Sequence, residues 1–190
     1  MIPEKIGFIG LGHIGGSVAK TVHRIYPDIQ IVAYDTCRAT LDTALQEGVI
    51  SEALDQVGKG FSDCNYIYLC APVLDNADYV RELSGILHDD MLLTDVGSVK
   101  TGIHEQIQKF PDLERHFIGG HPMCGTEHVG YEYSTAYMLE NAYYILTPTH
   151  TVSPQKVDEF EHFVTSIGAV PLILKNMIFL SVPSAIFLRS

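Results

Sequence analysis

Gly10-Leu11-Gly12-His13-Ile14-Gly15 follows an apolar run that begins at Lys5 and opens a segment of helical period. That segment places Ile14, Val18, Ala19, Val22 and Ile25 on one face before Pro27 stops it. Three glycines at this spacing, between a strand and a helix, leave few folds open. The first permits a tight turn, the second lets backbone approach a pyrophosphate, and the third lets the helix pack on the strand. The helix N-terminus then offers unpaired N–H groups and a partial positive charge to phosphate. Asp35 ends the next apolar run, Ile29–Asp35, twenty residues after Gly15. A carboxylate there can accept hydrogen bonds from both hydroxyls of an adenosine ribose. Turn and acid together predict a dinucleotide-binding unit in which Gly10, Gly12, His13, Ile14, Gly15 and Asp35 hold the cofactor. Asp35 would repel a 2′-phosphate, so NAD is predicted over NADP, and Arg38 reads as a solvated cation at a helix start.

Downstream, short apolar runs keep alternating with helical patterns, which signals βαβ units and a parallel sheet. Strands are predicted at Tyr66–Ala71, Met91–Asp95, Phe117–Gly119, Ala142–Leu146 and Val170–Leu174. Helices are predicted at Leu41–Gln46, Asp75–Leu87, Thr101–Phe110 and Pro154–Ile167. The fold class is therefore α/β: a doubly wound, Rossmann-type, mainly parallel sheet of seven or eight strands filling residues 1–174. With 46% hydrophobic residues the chain can build such a core. Its 190 residues are long for one domain and short for two. Asp and Glu total 23 against 12 Lys and Arg, a net charge of −11 with no basic cluster. That balance excludes nucleic acid and anionic membrane surfaces as partners. The start shows no signal-peptide pattern, and Cys37, Cys64, Cys70 and Cys124 form no CxxC pair. Reduced thiols, no metal site and a cytoplasmic location are expected.

Three further loops follow strand ends, where ligands sit in open α/β sheets. The first is Cys70-Ala71-Pro72-Val73, in which Ala71 and Pro72 could wall a nicotinamide. The second is Asp95-Val96-Gly97-Ser98-Val99-Lys100. The third runs from Gly119 through His121 to Glu127. His, Ser and Glu on adjacent strand ends make a polar cluster, and histidine suits accepting a hydroxyl proton near neutrality.

Taken together, Gly10–Gly15, Asp35, the DVGSVK run and above all Gly119–Glu127, GGHPMCGTE, resemble the prephenate and arogenate dehydrogenases of tyrosine biosynthesis. Cys124 stands where alanine is usual in that family. The resemblance implies NAD-dependent oxidative decarboxylation of prephenate or arogenate to 4-hydroxyphenylpyruvate or tyrosine. It implies that His121 accepts the substrate's hydroxyl proton, that Ser98 holds His121 and the hydroxyl in register, and that Thr126 and Glu127 face the substrate. It also implies a homodimer formed through a C-terminal helical domain. The turn is shared with β-hydroxyacid dehydrogenases, but Ile14 and Gly97-Ser98-Val99-Lys100 depart from their pattern.

After Leu174 the resemblance stops, and residues 175–190 read as an aberrant, apolar tail. The family continues with Glu-His-Asp and a helix containing Ser-His-Leu-Pro. A one-base frameshift from Lys175 forces the Asp and permits the remainder in order. The run Met177–Leu188 is too short to span a bilayer and is broken by Pro183. The expectation is a chain lacking the helical domain, monomeric, NAD-binding and impaired in turnover. The alternative is a catalytically silent NAD-binding remnant.

Overall fold

The computed structural model describes residues 2–72, 76–125 and 127–174. In chain order the elements are β1 (Lys5–Ile9), α1 (His13–Ile25), β2 (Gln30–Tyr34), α2 (Arg38–Gln46), β3 (Glu52–Ala53), β4 (Tyr66–Leu69) and α3 (Asn76–Ser84). They continue with β5 (Leu92–Asp95), α4 (Lys100–Ile107), α5 (Pro111–Glu114), β6 (Phe117–Pro122), β7 (Tyr143–Pro148), α6 (Pro154–Ser166) and β8 (Val170–Ile173). The strands form one sheet in the order β3-β2-β1-β4-β5-β6-β7-β8. Pairing is parallel from β3 to β6, antiparallel between β6 and β7, and parallel again between β7 and β8.

Strand side chains alternate between two apolar layers. Ile6, Phe8, Tyr66 and Tyr68 pack with Val18 and Val22 of α1 and Phe160 and Phe163 of α6. Ile9, Ile67, Leu69 and Leu93 pack on the other face with Val80 and Leu83 of α3 and Ile103 and Ile107 of α4. Helices on both faces explain why β4 reads as an unbroken apolar run, with all four of its residues buried. Strand order reverses at β1, between β2 and β4, which opens a crevice beyond the C-terminal strand ends.

Four expectations need correction, the first being the helix foreseen to Phe110, which closes at Ile107. The helix foreseen from Leu41 begins at Arg38. The helix foreseen to Leu87 has closed by Ser84. The sixth strand runs three residues past Gly119, so His121 lies inside β6 and not in the loop after it. The reason is non-local: β7 runs antiparallel beside β6 and keeps pairing through His121↔Ile145 and Pro122↔Tyr144. No helix among the described residues is long and apolar enough to cross a membrane. Val73, Thr126 and the tail 175–190 lie outside the described residues.

Candidate active site

A cleft of about 560 Å³ occupies the crevice at the strand ends. It is lined by Gly10, Gly12, His13, Ile14 and Gly15 from the first turn, Asp35 after β2, Ala71 and Pro72 after β4, and Ser98 after β5. Tyr79, His128 and Val129 also line it, and nothing in the sequence pattern marked them.

The three glycines do different work. Gly10 has φ +96°, and a Cβ there would lie 2.9 Å from the backbone nitrogen of Ala71. Its N–H donates to the Tyr34 carbonyl at 2.8 Å. A Cβ at Gly15 would stand 2.4 Å from the Gly10 oxygen and 2.8 Å from Cys70 Cβ, so α1 can approach β4 only over a glycine. At Gly12 a Cβ would meet nothing within 4 Å, although the residue lines the cleft. Protein packing does not require Gly12; the space above it does. Gly12 caps α1 without a side-chain hydrogen bond, and no acidic residue sits in the first turn. The helix therefore presents its N-terminal N–H groups and positive end to the cleft.

Asp35 ties this turn to β2. Its Oδ2 accepts the Leu11 N–H at 2.7 Å and its Oδ1 the Cys37 N–H at 2.8 Å. Each oxygen keeps a lone pair free. Arg38 points elsewhere: its Nε donates to Asp42 Oδ1 at 2.9 Å and its Nη1 to Asp55 Oδ1 at 3.4 Å.

His121 is not among the residues lining this cleft; it is half-buried on β6, and its Nδ1 is buried without a partner among the described residues. Burial and the Lys100 ammonium push its pKa below the ordinary histidine value, while the Val96 carbonyl and Asp95 oppose that shift. Lys100 and Asp95 form a buried ion pair. Burial raises the Asp95 pKa and lowers that of Lys100, each countered by the charge of the other. Ser98 is exposed on the cleft wall, and no described hydrogen bond joins it to His121. Glu127 is exposed and outside the cleft lining. His13 Nδ1 lies 3.1 Å from the His128 carbonyl, linking the glycine turn to the loop that follows His121.

A family model described as "Prephenate dehydrogenase, nucleotide-binding domain" matches residues 18–173, a span that excludes the glycine turn itself. Prephenate dehydrogenase of Bacillus subtilis strain 168 is 32% identical over 168 residues, covering 87% of this chain and 45% of that protein. Prephenate dehydrogenase of Lactococcus lactis is 34% identical over 146 residues, covering 76% of this chain and 41% of that one. Among solved structures, prephenate dehydrogenase from A. aeolicus, in complex with hydroxyphenyl propionate and NAD⁺, superposes with a TM-score of 0.83 at 29% identity. It covers 92% of this chain and 61% of that chain. The chain thus spans less than half the length of the two curated relatives. From strand order to family match, the observations agree: the chain belongs to the family of prephenate dehydrogenase nucleotide-binding domains.

Proposed function

We propose that residues 1–174 form an NAD-binding domain serving the oxidative decarboxylation of prephenate or arogenate in a cytoplasmic enzyme of tyrosine biosynthesis. The observation that carries this reading is the convergence of the glycine turn, Asp35, Ala71, Pro72 and Ser98 on one cleft at the point where strand order reverses. Gly12 and the uncapped start of α1 suit a pyrophosphate. The free lone pairs of Asp35 suit the two ribose hydroxyls.

NAD⁺ bound there supplies the hydride acceptor. The protein's own part is to place a base and to orient the substrate hydroxyl. His121 accepts the hydroxyl proton, and its lowered pKa keeps it neutral and ready to do so at pH 7. Ser98 holds the hydroxyl. Loss of CO₂ makes the ring aromatic, so positioning is the main demand on the site. No Lys or Arg is among the described residues lining the cleft. Groups for the substrate's carboxylates must then come from elsewhere, and we expect weak turnover by this chain alone.

Calorimetric titration with NAD⁺ and NADP⁺ tests the cofactor reading. A 2′-phosphate would meet the Asp35 carboxylate while Arg38 is held by Asp42 and Asp55. Like charges so placed cost about 3 kcal/mol, so NADP⁺ should bind roughly 100-fold more weakly than NAD⁺. Equal affinities would sink the assignment. NADH formation with prephenate and arogenate side by side tests the reaction.

A further inference from the structure

His121 sits where β6 has parted from β5. The parallel ladder between them ends at Thr94↔Ile118, while β7 continues alongside through Pro122↔Tyr144. On the side that β5 has left, a charged pair takes up the backbone. The Gly120 N–H donates to Asp95 Oδ1 at 3.1 Å, and the Gly120 carbonyl accepts from Lys100 Nζ at 2.5 Å. The pair is 2% and 4% exposed and closes on itself through Lys100 Nζ and Asp95 Oδ2. Asp95 Oδ2 also accepts the Gly97 N–H at 3.0 Å, in the loop that carries Ser98. One buried pair therefore grips both segments on which the chemistry depends.

The two glycines before His121 are what let the pair reach the strand. A Cβ at Gly120 would stand 2.5 Å from the Asp95 carbonyl oxygen and 2.9 Å from Thr94 Oγ1. At Gly119 it would stand 2.4 Å from Thr147 Oγ1, 2.8 Å from His104 Nε2 and 3.3 Å from Lys100 Cδ. Any side chain at either position would drive β6 off the pair. Taking a lysine and an aspartate out of water is costly, and an apolar pair would fill the same space more cheaply. A role beyond packing accounts for its presence.

We propose that Asp95 and Lys100 are positioning residues of the site, holding His121 through Gly120 and the Ser98 loop through Gly97. This rests on reading His121 as the proton acceptor. The same arrangement places opposite charges beside the imidazole. Lys100, on α4, opposes its protonation, and Asp95, at the end of β5, favours it, as does the Val96 carbonyl. On β7 the residue opposite His121 is the uncharged Ile145. Neutralising either partner therefore moves the proton affinity of His121 in the direction set by the charge removed.

Proton NMR of the ring of His121, assigned by the loss of its signal in His121→Asn, reads this directly across a pH titration. Lys100→Met should raise the midpoint and Asp95→Asn should lower it, each by about one pH unit, a tenfold change in proton dissociation. Lys100→Arg, which keeps the charge, should leave it in place. Unmoved midpoints, or both moving the same way, would overturn the proposal. If a single variant does not fold, the charge-free Asp95→Leu/Lys100→Met double variant carries the test through hydrogen exchange. Its Gly120 amide, without an acceptor, should exchange at least tenfold faster while the amides of β1 keep their protection. Undiminished protection at Gly120 would overturn it equally. No readout here involves substrate. Absence of NADH formation would count against the proposed reaction and not against this pair, and the reverse also holds.

Discussion

At the scale of the residue, the two histidines beside Lys100 respond to pH in different ways. His121, half-buried on β6, has its pKa below the ordinary 6.5. As the proposed base it is in its working form at neutral pH, and kcat/KM should rise with pH through a midpoint below 6.5 and stay flat above it. His121→Asn should lower turnover by roughly 10²–10⁴-fold while leaving NAD⁺ affinity unchanged. Steady-state NADH production beside calorimetry checks both halves. His104 is buried on α4 behind β6, its Nε2 3.2 Å from Thr147 Oγ1, and burial with the nearby Lys100 pushes its pKa down to about 4. A histidine whose folded pKa lies below its unfolded value adds stability above the unfolded value and loses it as pH falls through the folded one. Stability should therefore fall by about 2 kcal/mol between pH 6.5 and pH 4 on this account alone. Urea unfolding of His104→Gln should show that part of the pH dependence flattened. Roles at this scale were legible only where the signal is local. The spacing of Gly10, Gly12, Gly15 and Asp35 is local, and all four line the cleft. The burial of Lys100 was not legible, because it depends on a carbonyl twenty residues away.

At the scale of the element, every predicted strand and helix exists, and what shifted were ends, in β6 because of a partner distant in sequence. β6 extends to Pro122 because β7 pairs with it, and no property of the segment Phe117–Gly119 announces a neighbour at Tyr144. β3, of two residues, lives only on its pairing with Val32 and Ala33 of β2. Caps, by contrast, are local. The Pro154 start of α6 stands one residue after Ser153, whose Oγ accepts the Lys156 N–H at 3.3 Å. Ser153→Ala should cost about 1 kcal/mol. A thermal melt should record a fall of about 2–4 °C. An unchanged melting temperature would mean that the cap carries none of the stability of α6.

At the scale of the whole molecule, a single sheet covered on both faces gathers four strand ends into one cleft. The net charge of −11 keeps that cleft free for a small ligand and not for a polyanion. The central claim is that a dinucleotide lies over the glycine turn. Two glycines separate that claim from mere folding, since a Cβ meets nothing at Gly12 but meets backbone at 2.4 Å at Gly15. Gly15→Ala should overpack the helix–strand contact and destabilise the protein by about 1–3 kcal/mol. Gly12→Val should leave the fold intact. The decisive measurement is calorimetric titration of NAD⁺ into the unaltered chain and into Gly12→Val, each with its melting temperature recorded. One NAD⁺ per chain in the first, and binding lost in the second at an unchanged melting temperature, is the expected result. No binding to the unaltered chain, or equal affinity in the two, would contradict it.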